Sequence, residues 1–204
     1  MRGITRLASS ALAALGMLAA VPANAQKAAD TLRVNWLDPV VDIDPYYNSQ
    51  RTGLILAHQA WDMLVHRDPA TFELKPALAT DWKFTDDTTL DLTIRQGVKF
   101  HDGSTLTPDD VVYTINMAAN PDSKVAVPSN YAWLAGAEKI DTHTVRVKLK
   151  RVFPAALEYL VMVTPIWPKA YRERVGEEGY AKAPVAAGPY KITKVDGVHQ
   201  IVME

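Results

Sequence analysis

The chain has 204 residues, with 22 Lys and Arg against 23 Asp and Glu, 48% hydrophobic residues and no cysteine. A near-neutral charge without a basic cluster excludes electrostatic binding to nucleic acid or to an anionic membrane surface. The lack of cysteine excludes a disulfide framework, a thiolate zinc site, a cysteine nucleophile and an N-terminal lipidated cysteine.

In chain order, the first segment reads as a targeting signal. Arg2 and Arg6 flank the start of an apolar run from Leu7 to Val21, and Ala23-Asn24-Ala25 supplies the small residues that signal peptidase accepts. The run is shorter than the roughly 20 apolar residues of a membrane-spanning helix, and Pro22 closes it. The expectation is export, with cleavage after Ala25 and a mildly acidic mature chain.

Thr31 to Leu37 alternates Leu32, Val34 and Trp36 with polar residues, which predicts a half-buried strand. The stretch from Asp38 to Tyr47 carries Asp38, Asp42, Asp44, two prolines and two tyrosines, so a long loop follows. Its carboxylates lack the glycine and the bidentate glutamate of a helix-flanked calcium loop, and a solvated loop explains them. A loop that leaves the carboxyl end of a strand and carries aromatics is a ligand rim. That makes Trp36, Asp44, Tyr46 and Tyr47 the candidate ligand-binding residues, with core packing as the alternative reading of the same aromatics.

Ser49 to Val65 places Leu54, Ala57, Trp61, Leu64 and Val65 on one helical stripe, with Asn48 or Ser49 available as cap. A hairpin is predicted around Asp86-Asp87, with Trp82 and Phe84 before it and Leu90, Leu92 and Ile94 after it. Gln96-Gly97 and His101-Asp102-Gly103-Ser104 read as turns. Thr107-Pro108-Asp109-Asp110 joins a hydroxyl cap, proline at the first helical position and two carboxylates at the positive helix end. Beyond the loop from Pro121 to Asn130, a second hairpin flanks Asp141-Thr142-His143, with Val145, Val147 and Leu149 facing inward. Short helices over Ala155–Met162 and Lys169–Val175 come next, and a strand pair, Tyr190–Ile192 with Gln200–Met203, surrounds Asp196-Gly197.

No nucleophile elbow, zinc-protease helix, serine–lysine pair, phosphate-binding loop or dinucleotide-binding turn is present. His58, His66, His101, His143 and His199 are scattered without ligand spacing, and the Asp-Gly turn explains the His101-Asp102 pair. The expectation is no catalytic residue, no metal site and no cofactor.

Three strings carry a family resemblance. They are Lys75-Pro-Ala-Leu-Ala-Thr-Asp-Trp82, the long block from Leu92 through Gln-Gly-Val-Lys-Phe-His-Asp-Gly and Thr-Pro-Asp-Asp-Val-Val to Ile115, and Gly188-Pro-Tyr-Lys191. In this order and spacing they are similar to the signature series of the family 5 extracellular solute-binding proteins. Ala186-Ala187 departs from the Gly-Thr that the family usually has there. The residues of the long block have turn, strand and cap roles, so the block reads as a folding signature rather than a contact surface.

The resemblance implies a mixed α/β (α+β) body with the type II periplasmic-binding-protein fold, of which this sequence is an N-terminal portion. It also implies a signal peptide over 1–25, a first segment of the main ligand-binding lobe over 26–44, an accessory lobe over 45–182 and a return into the main lobe over 183–204. The implied activity is that of a monomeric periplasmic component that captures an oligopeptide or related small solute for an ABC permease and its ATPase, and catalyses nothing. The rivals are a peptide-handling chaperone or a chemoreceptor-type sensor of the same fold, and an exported hydrolase.

Overall fold

The computed structural model describes residues 32–37, 39–40, 42–196 and 199–204, so the expected signal segment and its cleavage site lie outside the described residues. From Trp36 to Glu204 the chain forms one compact unit. Its centre is an antiparallel sheet of β3 (Ala79–Asp86), β4 (Thr89–Ile94), β6 (Thr144–Leu149) and β5 (Leu134–Lys139), in that spatial order. Alternation sorts the two faces. Leu90, Leu92 and Ile94 of β4 and Val145, Val147 and Leu149 of β6 are buried on one face. On the other, the register places Lys83, Asp91, Arg146 and Glu138 in one row across the four strands. Opposite charges side by side in such a row favour this register over a slipped one.

Helix α2 (Pro108–Ala119) packs against β5 and β6 and buries Val111, Thr114, Ile115 and Ala118. Its start is built as the sequence predicts, with Thr107 as cap residue and proline in the first turn. The chemistry of the cap centres on Asp110. One carboxylate oxygen accepts from the Thr107 backbone N–H at 2.7 Å and from the Thr107 hydroxyl at 2.9 Å, while the other accepts from the Lys169 N–H at 2.8 Å. Asp110 therefore ties the start of α2 to the start of α4 (Lys169–Lys182). α4 runs past the expected end at Val175, but its backbone breaks at Gly176, whose φ of 69° is a conformation that favours glycine.

Three expectations need correction. Residues 32–37 form no strand, and Leu37 is 100% exposed. Alternation gives such a segment an apolar face, but a strand also needs a hydrogen-bonded neighbour, and no described strand pairs with it. The first helix, α1, spans only Arg51–Ala60, with Gln50 at its N-cap position. Asn48 lies two residues earlier, where its side-chain Oδ1 accepts from the Gln50 N–H at 2.8 Å. Beyond Ala60 the chain extends, and Val65 enters β1 (Val65–Arg67), which pairs with β2 (Leu74–Pro76) in a hairpin the helical stripe had concealed. Leu64 and Val65 are buried all the same, so the apolar residues matched a core while the period was wrong.

α3 (Ala156–Met162) and the hairpin of β7 (Ile192–Asp196) and β8 (Gln200–Met203) complete the unit. Two of the signature strings meet at Gly188. The His101 N–H donates to the Ala186 carbonyl at 2.8 Å, and His101 Nε2 lies 2.8 Å from the Gly188 carbonyl. The Gly188 N–H donates to the Ala60 carbonyl at 2.8 Å, and a Cβ at Gly188 would stand 2.5 Å from that same carbonyl. Only glycine lets the chain cross the end of α1 this closely.

Candidate functional site

Asp42 to Tyr47 is held by its own side chains. The Asp44 N–H donates to Asp42 Oδ1 at 2.8 Å, and the Tyr46 N–H donates to Asp44 Oδ1 at 3.2 Å. These local bonds turn the chain so that Asp44 and Tyr46 point inward, both fully buried, while Tyr47 is half-buried. The Tyr46 hydroxyl donates to the Pro165 carbonyl at 2.9 Å, and its ring lies 4.5 Å from that of Trp167 and 5.3 Å from that of Tyr131. Tyr47 stacks on Trp167 at 6.3 Å and donates its hydroxyl to the Ser123 carbonyl at 3.1 Å.

Arg172, on α4, reaches into this cluster with only 6% of its side chain exposed. Its Nη2 stands 3.6 Å from Asp44 Oδ2, and its guanidinium carbon lies 4.5 Å from the centre of the Trp167 ring and 5.3 Å from that of Tyr180. The Tyr47 ring is 5.6 Å away. Tyr180 is fixed in turn, accepting from Trp61 Nε1 at 3.1 Å and donating to the Val185 carbonyl at 2.6 Å. Burial pushes the Asp44 carboxyl up to about 8, against the opposing pull of the Arg172 guanidinium. Burial likewise raises the Tyr47 phenol to about 12.

Of the four residues singled out in the sequence, Asp44, Tyr46 and Tyr47 come together and Trp36 stays outside the cluster, 43% exposed. Trp167, Arg172 and Tyr180 complete the set and were not foreseen. They lie more than a hundred residues further on, and no local pattern in the sequence joins them to the Asp44–Tyr47 stretch. Beside the cluster runs a groove of about 510 Å³ with apolar walls from Val40, Ile43, Val195 and Ile201 and charged groups from Asp42, Glu177, Glu178 and Lys182. Among the described residues, no three His, Asp or Glu side chains converge as a metal site, and no helix is long and apolar enough to cross a membrane. The cluster can hold a cation and lock a loop, and it offers no nucleophile paired with a base.

Residues 73–204, well over half of the chain, match the family described as bacterial extracellular solute-binding proteins, family 5, middle region. The glutathione-binding protein GsiB of Salmonella typhi is 29% identical over 187 residues, which cover 89% of this chain and 35% of that protein. Among solved structures, the oligopeptide-binding protein AppA from Bacillus subtilis in complex with a nonapeptide is 28% identical, with a TM-score of 0.76 over 83% of this chain and 35% of that one. NikZ from Campylobacter jejuni in complex with Ni(L-His) is 26% identical, with a TM-score of 0.69 over 78% of this chain and 32% of that one. The chain thus spans about a third of the length of the relatives it matches. The mixed α/β architecture is that of the type II-like binding proteins of this family over about four-fifths of the sequence. The order and spacing of the signature strings, the fold they build and the match over residues 73–204 place the chain in one family: it belongs to the bacterial extracellular solute-binding proteins, family 5.

Proposed function

We propose that this chain is part of the extracytoplasmic solute-binding component of an ABC importer, which captures an oligopeptide or related small solute and delivers it to a membrane permease. Membership of family 5 carries this reading. It is supported by structural likeness to proteins that hold a nonapeptide and a nickel–histidine complex. Solute taken up between two lobes favours the closed arrangement by its differential affinity, and the permease reads that arrangement. In this reading residues 26–44 and 183–204 belong to the solute-facing lobe and 45–182 to the accessory lobe. Trp36 and Tyr47 present aromatic surface at the rim. Asp44 and Tyr46, being buried, act by holding the rim in place. Export with loss of residues 1–25 belongs to the same reading, and intact mass of the exported protein measures it.

The test is calorimetric titration of the protein, expressed from its whole reading frame, with a panel of peptides, glutathione, opines and nickel chelates. Saturable binding at about micromolar Kd or tighter, about −8 kcal/mol, is the expected result, together with uptake that depends on the permease. Turnover of a peptide by the purified protein, with no dependence of uptake on it, would overturn the reading in favour of a hydrolase.

A further inference from the structure

We propose that Trp167, Tyr180, Tyr47 and Asp44 form a guanidinium-binding cage that the chain fills with its own Arg172, so that the site, once freed of that side chain, takes a guanidinium ion from solution. Three ring faces lie within 5.6 Å of the guanidinium carbon, with Trp167 closest at 4.5 Å. A ring face attracts a cation through its quadrupole, most strongly where water is excluded, and Asp44 on the remaining side is 0% exposed.

The polar atoms argue the same way. Among the described residues, Arg172 Nε, Asp44 Oδ2 and Trp167 Nε1 are buried without a well-formed hydrogen bond. The Asp44 oxygen that faces the guanidinium has Arg172 Nη2 at 3.6 Å as its cation, and the Trp167 indole N–H is directed at the same carboxyl. A planar, weakly hydrated guanidinium stacks on such rings, whereas an ammonium ion is a compact charge that gives up its water reluctantly. The walls come from two distant parts of the chain, the Asp44–Tyr47 turn and the Trp167–Tyr180 stretch, so the cation also acts as the plug that docks the turn on α4. Tyr47 is the half-buried wall and marks the side from which a free ion enters.

The experiment replaces Arg172→Ala and follows thermal unfolding in millimolar methylguanidinium, with sodium chloride at equal ionic strength as control. The expected result is that methylguanidinium restores at least half of the Tm lost by the variant and leaves the parent, whose cage is already filled, unmoved. Methylammonium should restore less than half as much, and adding Tyr47→Leu to the variant should weaken the rescue. If Arg172→Ala does not fold unaided, the yield of native protein on refolding is the readout, and it should rise with methylguanidinium but not with sodium chloride. Absence of rescue in both melting and refolding, or equal effects on variant and parent, overturns the cage. Equal rescue by methylammonium overturns its selectivity for guanidinium. None of these readouts depends on the solute-binding reading.

Discussion

Two Arg–Asp pairs in this molecule behave in opposite ways. On the outer face of the sheet, Arg146 grips Asp91 through Nε and Nη2, both at 2.7 Å, in the two-pronged geometry that suits guanidinium and carboxylate. In the core, Arg172 meets Asp44 across 3.6 Å, and among the described residues neither Arg172 Nε nor Asp44 Oδ2 makes a well-formed hydrogen bond. Hydrogen bonding by Arg146 holds the Asp91 carboxyl below its ordinary range, while burial lifts that of Asp44 to about 8. The residue types are the same, and the difference lies in water. At the surface the charges keep their solvation and add a bond. In the core the carboxylate loses solvation, and one cation shared with three aromatic rings does not replace it.

The contrast can be broken at either pair. Arg172→Ala carries the largest expected effect, a loss of about 3–5 kcal/mol in urea denaturation above pH 8, where Asp44 is ionised and the substitution leaves its charge buried and unpaired. That loss should persist at high salt, since a buried pair is little screened. A loss that vanishes in salt would place Arg172 with the surface charges. Asp110→Ala probes a third arrangement, a buried carboxylate with every contact made as a hydrogen bond. Here the expected loss is about 1–3 kcal/mol, from three donors left without their acceptor. No change on this substitution would mean that the tie between α2 and α4 contributes nothing. The smallest effect belongs to Arg146→Ala, a slight loss at low salt that disappears near ~1 M, where screening acts within about 3 Å. A large, salt-insensitive loss there would erase the distinction between the two pairs.

The sheet and the buried cluster were also unequally legible in the sequence. Alternation in β4 and β6 and the glycines at 97 and 103, both at positive φ, gave the hairpins and turns of the sheet, because strand period and turn chemistry are local. The start of α2 was legible for the same reason. The helix drawn through Val65 was not, since a short apolar run fits a helix and a buried strand equally well until its partner strand is known. The cluster was half legible. Asp44, Tyr46 and Tyr47 stand together in a loop that invites attention, but nothing local says that a loop this polar turns its carboxylate inward. The group that meets it, Arg172, is brought to Asp44 from far along the chain, and Trp36, read together with these residues, lies outside the cluster, 43% exposed.

The most direct measurement is the titration of the two carboxyl carbons, Asp44 and Asp91, followed by carbon-13 NMR in one sample and checked against stability at each pH. Asp91 should titrate below the ordinary aspartate range and Asp44 near 8. The sign in stability follows. A carboxyl raised from 3.8 to about 8 on folding binds more protons in the native state, so its contribution is full below about pH 4 and is lost as pH rises towards 8. Asp44→Asn should remove that fall, so its stability difference from the parent changes between pH 5 and pH 8, while Asp91→Asn leaves the slope in that window unchanged. Titration of both carboxyls below pH 4, with no change in slope for Asp44→Asn, would contradict the account, because the core would then be holding Asp44 as an ordinary ion pair.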